Sequence, residues 1–301
     1  MTIQAPTTRP STGNQPSAVE VPTVEVPTVE VPAVGGRTMG EQPAAHAVID
    51  LLLRQQAESP TRSVVGRVFG YSPLAAESVS WYLGAKGEID VAAMLATLPP
   101  SWSVFHSLPI GKKGADIDHL VIGPGGVFTI NTKNHTGKGV WVAGQTLMVS
   151  GYKAPHIRNA EYEADRVTKL LRERMPRLAA AHPVVAVVNA KSLTITKKPE
   201  RVAVVTGPAL RRWLMTRPVV LGPAELADLR AVIDNPDTWP APLFSATPNA
   251  QDLFQALDAE VRTALLRRTI WKLTGIAALV GGLLLAAPAL SAAMIGLASI
   301  G

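Results

Sequence analysis

The sequence has 301 residues, 47% of them hydrophobic and 17% charged, and its 29 basic and 23 acidic side chains give a formal net charge of +6. This length is sufficient for one or two domains with a substantial core. The absence of cysteine excludes a disulfide framework, thiol catalysis, iron–sulfur clusters and cysteine-ligated zinc.

The chain begins with an arm that is rich in proline, threonine, valine and glutamate. The unit Val-Glu-Val-Pro-Thr starts at Val19 and Val24, and it starts again at Val29 with alanine as its fifth residue. A proline at every fifth position stops a helix, and alternating valine and glutamate leave no wide apolar face. We therefore predict that residues 1–45 form an extended, disordered arm, with a β-strand that pairs with a partner as the alternative. Residues 1–15 lack the basic and apolar regions of a signal peptide.

Residues 46–248 have the pattern of a folded domain in which helices and strands alternate. Gly84 and Gly87 interrupt the second helix and indicate a bend or a close packing contact. The order of the elements predicts an α/β fold with a mixed β-sheet flanked by helices. The predicted helices are Ala45–Ala57, Pro73–Leu98, Ala160–Arg174, Ala209–Met215 and Ala224–Ile233, and the predicted strands are Ser103–Leu108, Asp116–Ile122, Val127–Thr132, Val140–Val142, Thr146–Val149, His182–Val188 and Arg201–Val205.

The end of the chain has the composition of a membrane anchor. Residues 273–301 contain no charged side chain, and a bilayer core requires about 20 apolar residues. By the positive-inside rule, the basic residues of the preceding segment, 249–268, and Lys272 place the soluble domain in the cytoplasm. We therefore predict a basic juxtamembrane helix at 249–268, a single transmembrane helix at 269–301 and a location in the cell membrane. Pro288 leaves a kinked span or a re-entrant hairpin open, and a buried core helix is the alternative.

One hairpin in the middle of the chain holds the candidate site. Asp116 and Asp118 share a face of their strand, because residues two apart point the same way. Asn131 and Lys133 likewise share a face of the next strand, and the turn Gly123–Gly126 brings them near Asp118. Hydrophilic pairs beside apolar runs are costly unless they pair with each other or bind a ligand. The pattern is consistent with a strand-end salt bridge between Asp118 and Lys133 and with a metal site.

Three motifs in this region resemble the NERD, or nuclease-related, domain of the PD-(D/E)xK nuclease superfamily. They are GAKGE at 84–88, ADIDHLVIGPGGVF at 115–128 and INTKN at 130–134, and the resemblance covers about residues 80–205. It implies a restriction-endonuclease-like core and a phosphodiesterase that requires Mg²⁺ or Mn²⁺. The arm and the C-terminal segment lie outside the resemblance.

The resemblance also implies roles for individual residues. Glu88 matches the helix acid, Asp118 the metal-binding aspartate and Lys133 the motif lysine, so these three are the expected catalytic residues. Glu88, Asp118 and Asn131 are the expected metal ligands. Asn131 stands where the general pattern has an acid, and its amide oxygen carries no charge, so a lower metal affinity is expected. His119 follows the family pattern, but strand alternation turns it to the opposite face, where a structural hydrogen bond is expected.

The charge of the domain points to an anionic partner. Residues 46–268 contain 26 basic and 19 acidic side chains, which is compatible with nucleic acid or with an anionic membrane surface. Arg158, Arg166 and Lys169, on or next to one predicted amphipathic helix, are candidate phosphate contacts, although such charges also occur on simply solvated faces. The prediction is a membrane-anchored nuclease-related protein that acts on DNA or RNA. The alternative is a catalytically inactive relative that binds nucleic acid or protein partners at the membrane.

Overall fold

The domain is built from helices and strands that alternate along the chain. The computed structural model of the protein describes residues 38–111, 115–241 and 247–298, without the side chains at 285 and 287–298. The helices are α1 (His46–Ala57), α2 (Val64–Val68), α3 (Ser78–Leu95), α4 (His156–Arg172), α5 (Gly207–Met215), α6 (Pro223–Asp234) and α7 (Ala250–Ala298). The strands are β1 (Ser103–Pro109), β2 (Asp116–Gly123), β3 (Gly126–Asn134), β4 (Gly139–Ala143), β5 (Thr146–Val149), β6 (Tyr152–Ala154), β7 (His182–Val188), β8 (Ser192–Lys197) and β9 (Ala203–Thr206). The predicted mixed α/β architecture is confirmed.

The described strands form two mixed sheets, where the sequence predicted one. The first sheet has the order β1–β2–β3–β7–β9; β1, β2 and β3 are antiparallel, and β3, β7 and β9 are parallel. The second has the order β6–β5–β4–β8, with β4 and β8 parallel. The strand β8 was not predicted, because most of its side chains are exposed and it lacks the alternation of a half-buried strand.

The folded domain begins before the predicted end of the arm. Residues 1–37 of the arm lie outside the described residues. Met39–Glu41 form a short 3-10 turn, and the Gly40 N–H donates a hydrogen bond of 2.7 Å to the Asp234 carboxylate. Ala45 is fully buried. The last residues of the predicted arm are therefore part of the packed structure.

Helices cover both faces of the first sheet. On one face Val91 of α3 packs with Ile130 of β3 and with α5. On the other face Leu120 of β2 packs with Val167 of α4 and Leu229 of α6. Successive strand residues point to opposite faces, so β2 and β3 contribute to both layers. The sheet is thereby held between α3 and α4, and these two helices flank the candidate site.

Gly87 allows α3 to approach the sheet closely. A Cβ atom at this position would lie 3.0 Å from Cβ of Asn134 on β3 and 3.2 Å from Cγ2 of Val188 on β7. Because α3 continues without a break through Gly84 and Gly87, close packing rather than a bend accounts for Gly87. The contact places the next residue, Glu88, beside the end of β3.

Alanine substitutions at the two glycines of α3 are expected to differ in stability. Alanine is favoured over glycine in a helix by about 1 kcal/mol, and a Cβ at Gly84 would meet only Cγ2 of Val48, at 3.6 Å. We expect Gly87→Ala to be about 1–2 kcal/mol less stable than Gly84→Ala, because Asn134 and Val188 must shift. Thermal unfolding of the two variants measures the difference, and equal stabilities would contradict the packing argument.

The predicted juxtamembrane segment and the predicted span as far as Ala298 form one continuous helix, α7. In its first part Phe254 and Val261 are buried against α1 and α3. Among the residues that the structure describes, no helix contains an apolar stretch long enough to cross a membrane. After Leu284, nearly all side chains of the predicted span 269–301 lie outside the part of the chain whose side chains are described.

Candidate metal and phosphodiester site

The strands β2 and β3 separate at the point where the candidate site lies. Their ladder pairs His119 with Ile130, and beyond this pair Oδ2 of Asp118 accepts a hydrogen bond of 2.6 Å from the Thr132 N–H. The side chain of Asp118 thus takes the place of a backbone carbonyl at the end of the ladder. Asp116 lies on the same face of β2, and both aspartates are half-buried.

Asn131 on β3 is buried and links the strand to α4. Its Nδ2 donates a hydrogen bond of 2.5 Å to Oε1 of Glu163, whereas its Oδ1 is buried without a hydrogen-bond partner. Glu163 was not among the predicted site residues. It lies beside the buried stripe Ala160, Ala164 and Val167 of an amphipathic helix. A carboxylate next to such a stripe was the available sequence signal, because an isolated buried charge is costly.

Glu88 reaches the same cluster from α3. Its side chain is buried, and its Oε2 has no hydrogen-bond partner. Burial raises the pKa of Glu88 well above its usual value, repulsion from Asp118 and Asp116 raises it further, and attraction to Lys133 lowers it. Lys133 is half-buried and makes no ion pair within the described structure. Asp118 and Lys133, both described, therefore do not form the direct salt bridge that was the alternative prediction.

The acids of the cluster favour one another's protonated forms. Burial raises the pKa of Asp116 to about 7, with a further contribution from the charge of Asp118. Burial, followed by the charge of Asp118, raises the pKa of Glu163 to about 8. The pKa of Asp118 is also raised by burial, although Lys133 opposes the shift. Perturbed acids gathered around one lysine are typical of functional sites.

The donor set of the cluster suits a hard divalent cation. Carboxylate and amide oxygens are the ligands that Mg²⁺ and Mn²⁺ prefer. A buried oxygen without a partner costs about 1–3 kcal/mol, and both Oε2 of Glu88 and Oδ1 of Asn131 are in this state. Among the described residues, no three histidine, aspartate or glutamate side chains converge closely enough to hold a metal ion as they stand. The expected set of Glu88, Asp118 and Asn131 contains only two carboxylates.

His119 lies on the opposite face from Asp118, as strand alternation predicts. It is fully buried, and its Nδ1 lies 2.8 Å from Nδ1 of His106, its pairing partner on β1. Burial lowers the pKa of both rings, that of His106 to about 4. The two imidazoles are therefore neutral at neutral pH and share one hydrogen bond, which is a structural role.

A second pair of histidines lies near Lys133. The rings of His135, which follows β3, and His156, the first residue of α4, stack with their centroids 5.2 Å apart. The Nε2 atom of each ring is buried without a hydrogen-bond partner. Burial lowers the pKa of His156 to about 4, with smaller contributions from the charges of Lys133 and His135. Sequence spacing does not link these residues, because only the packing of α4 beside β3 brings them together.

The three predicted phosphate contacts differ in their surroundings. Arg158 and Lys169 are exposed on α4. Arg166 is half-buried and donates from Nε (3.3 Å) and Nη2 (2.8 Å) to the carbonyl oxygen of Ile110. Arg166 therefore fastens α4 to the end of β1, whereas Arg158 and Lys169 are exposed to solvent.

The raised pKa of Glu163 makes the stability of the metal-free protein depend on pH. The usual pKa of this carboxyl is 4.5, whereas in the fold it is about 8. The contribution of Glu163 to stability is therefore fully present below about pH 4.5 and is lost as the pH rises through 8. Glu163→Gln removes the ionisation and keeps an oxygen that can accept the hydrogen bond from Asn131.

In the presence of a chelator, we expect Glu163→Gln to gain about 1–3 kcal/mol in free energy of unfolding over the wild type as the pH rises from about 5 to 8. Glu161→Gln, on the same helix, is the matched control and is expected to follow the wild type. Urea unfolding at a series of pH values measures the gain. Parallel curves for Glu163→Gln and the wild type would show that Glu163 is not held protonated.

Asp118 and Lys133 lie at the ends of two adjacent strands of a mixed sheet, and Glu88 of α3 lies near both of them. Residues 83–189 match the family model of the nuclease-related domain, NERD, and this part of the chain is a nuclease-related domain of the PD-(D/E)xK-like superfamily. The predicted resemblance is confirmed. The matched segment includes every residue predicted for catalysis or metal binding, and it also includes Glu163.

The similarity to a curated relative covers part of each chain. An uncharacterized protein of Bacillus anthracis is 31% identical in an alignment 113 residues long that covers 33% of this chain and 53% of that protein. The chain thus spans about half the length of this relative. No solved structure matches the chain significantly, so the restriction-endonuclease-like core stays a prediction.

Proposed function

We propose that this chain is a membrane-anchored phosphodiesterase that cleaves DNA or RNA with Mg²⁺ or Mn²⁺. The observation that carries the proposal is the meeting of Glu88, Asp118, Asn131 and Lys133 around one buried acidic cluster. The family match supports a nuclease-related function for the domain that contains them. Metal dependence, the substrate and the membrane anchor go beyond that match and are parts of the proposal.

In the proposed mechanism, Glu88, Asp118 and Asn131 hold the cation through oxygen atoms. When bound, the cation polarises the scissile phosphate and stabilises the charge of the leaving oxygen. Lys133, on the same strand as Asn131, orients or deprotonates the attacking water, or stabilises the charge that develops on the phosphate. The backbone N–H of Thr132 orients Asp118 through its hydrogen bond.

Glu163 supplies the negative charge that Asn131 lacks. The hydrogen bond from Asn131 holds the Glu163 carboxyl next to the position where the general motif has an acid. With its pKa raised to about 8, Glu163 is largely protonated at neutral pH and loses its proton readily when a cation is near. In this proposal the strand supplies an amide ligand, Asn131, and α4 supplies the negative charge, Glu163, where the general motif has a single acid on the strand.

The membrane part of the proposal is supported by composition. Residues 273–301 carry no charge, and Arg267, Arg268 and Lys272 precede them. On the described part of α7 the apolar side chains Ile270 and Leu284 are exposed by 58% and 70%. Exposed apolar side chains of this kind on a helix favour contact with lipid.

A second candidate function is a nuclease-related domain without catalysis that binds nucleic acid or protein at the membrane. The substitution of an acid by Asn131 favours it, because an amide brings no charge to the ion. The exposed Arg158 and Lys169 would then contact phosphates.

The full-length protein in detergent, incubated with DNA and RNA substrates and a series of divalent metals, separates the two functions. Cleavage that requires Mg²⁺ or Mn²⁺ and stops with a chelator is expected. Salt-sensitive binding without cleavage under any metal would replace the nuclease proposal by the binding function, since phosphate contacts release counterions. The absence of both cleavage and salt-sensitive binding would leave protein contacts as the role of the domain.

A further inference from the structure

A short helix on the surface exposes an unusual number of apolar side chains. Val64 and Val65 of α2 are exposed by 76% and 61%, and Val68, Phe69 and Tyr71 are also exposed. Single exposed apolar residues are common on proteins, but a contiguous group marks a surface that meets another molecule or a membrane.

This helix is fixed rigidly to α7. Gly70 has φ +73°, and a Cβ atom there would lie 2.4 Å from the Arg268 nitrogen and 2.5 Å from the Ala264 carbonyl oxygen, so only glycine allows this backbone contact. Trp271 Nε1 donates to the Val68 carbonyl at 2.9 Å, and the rings of Phe69 and Trp271 lie with their centroids 4.9 Å apart. The apolar side chains of α2 are therefore held beside one defined part of α7.

That part of α7 is itself apolar and exposed. Leu265, Leu266, Ile270 and Leu273 are all exposed, and the chain carries no charge after Lys272. The exposed surface of α2 is thus continuous with the start of the uncharged segment. Trp271 and Phe69 lie at the junction, which is the position that aromatic residues favour at a membrane interface.

The charged residues around this surface are mainly basic. Arg67, Arg267, Arg268 and Lys272 surround it, and Arg267 Nη1 donates to the carbonyl oxygen of Arg67 at 2.9 Å. A second copy of the same surface would bring like charges together, whereas anionic lipid head groups would complement them.

The acids on the adjoining part of α7 are already engaged. Glu260 pairs with Arg62 at 3.4 Å. Asp258 pairs with Arg262 at 2.8 Å and with Lys86 at 3.3 Å. The acids therefore leave the basic groups near Trp271 uncompensated.

We infer that α2 and residues 265–273 of α7 form one interfacial surface that lies on an anionic bilayer, with Val64 and Val65 entering the head-group region. The apolar side chains gain burial, and the arginines and lysine contact lipid phosphates. The inference adds a second contact with the membrane to the C-terminal anchor and does not depend on nuclease activity.

The absence of cysteine allows a direct test in the full-length protein. Single variants Val65→Cys and Val220→Cys are labelled with an environment-sensitive fluorophore and mixed with phosphatidylserine-containing vesicles. Val220 is a matched control, because it is also an exposed valine (57%) and follows α5, where its N–H donates to the carbonyl oxygen of Pro124 in the turn between β2 and β3. We expect the label at 65 to be quenched by brominated lipid and shielded from iodide about tenfold more than the label at 220.

If both labels were equally accessible to brominated lipid and to iodide on vesicles that carry the protein, the inference would be overturned, whereas the proposal of a C-terminal anchor would be unaffected. A second test compares vesicle binding of Val64→Ser/Val65→Ser with that of Val219→Ser/Val220→Ser. We expect weaker binding only for the first pair, and weaker binding of the wild type to pure phosphatidylcholine vesicles. Identical binding of the two double variants, or of the wild type to both kinds of vesicle, would likewise overturn it. The nuclease assay in detergent, run in parallel, reports separately on the proposed catalysis.

Discussion

Lys133→Gln is expected to lower the rate of metal-dependent cleavage by about 100- to 1,000-fold, which is the typical loss when one preorganised charge stabiliser of a transition state is removed. Lys133 is the cation that lowers the pKa of both Glu88 and Asp118. Glutamine keeps part of the length and polarity of lysine but supplies neither a proton acceptor nor a positive charge. The loss is expected in kcat, because the charge on the phosphate develops only in the transition state.

The control for this variant is Lys138→Gln. Lys138 is exposed and follows Lys133 closely in the chain, so the same change of net charge occurs near the site without touching the cluster. We expect its cleavage rate to stay within about twofold of the wild type, because a solvated charge contributes little. Steady-state cleavage of one labelled substrate at saturating Mn²⁺ gives both rates. If Lys133→Gln cleaved as fast as Lys138→Gln, the phosphodiesterase site would have to lie elsewhere.

The hairpin of β2 and β3 was predictable because the turn residues, the β-branched runs and the strand alternation all indicate the same pairing. The turn Gly123–Gly126 separates two runs of β-branched residues, and the observed pairing of Gly123 with Gly126 is the one that this turn implies. The face shared by Asp116 and Asp118 follows from strand alternation alone. One motif thus predicted both the pairing of these two strands and the position of the candidate site.

Glu163 was not predictable in the same way, because it reaches the cluster through tertiary packing. It comes from α4, far along the chain from Asn131, and the helix carries charges of both signs that read as a solvated face. Its place beside the buried stripe of α4 was a signal, but that signal does not name a partner, and only the position of α4 against β3 shows that the carboxyl meets Asn131. The same packing brings His156 beside His135.

Arg166 also has a role that its sequence position did not indicate. Its charge predicted a phosphate contact, and in the fold its guanidinium donates two hydrogen bonds to the Ile110 carbonyl oxygen just after β1. The second sheet was missed for a related reason: β8 pairs in parallel with β4, and such non-local pairing has no turn signal in the sequence. Local patterns therefore predicted the hairpin, and long-range contacts determined the rest.

Asn131→Asp restores the acid of the general motif and is expected to have opposite effects with and without metal. In the metal-free protein the new carboxylate would face Oε1 of Glu163, which lies 2.5 Å from Nδ2 of Asn131 in the wild type. Two carboxyls at that distance share one proton, so the pKa for the loss of that proton is raised and part of the stability is lost as the pH rises. We expect a loss of about 2–4 kcal/mol near pH 8 and a smaller one near pH 5.

The same variant is expected to bind Mn²⁺ about tenfold or more tightly, because a third carboxylate joins Glu88 and Asp118 and the cation replaces the shared proton. The free energy of unfolding, measured once with a chelator and once with Mn²⁺, shows whether the variant is destabilised without the metal and stabilised with it, and calorimetry gives the Mn²⁺ affinity.

Asn159→Asp, an exposed change on α4, controls for net charge and should alter neither the stability nor the binding free energy by more than a few tenths of a kcal/mol. The double variant Asn131→Asp/Glu163→Gln removes the repulsion and should recover the metal-free stability, since contacting residues couple. If Asn131→Asp were destabilised equally with and without Mn²⁺, the cluster would be a structural acid pair, and the assignment of Asn131 as a metal ligand would be wrong.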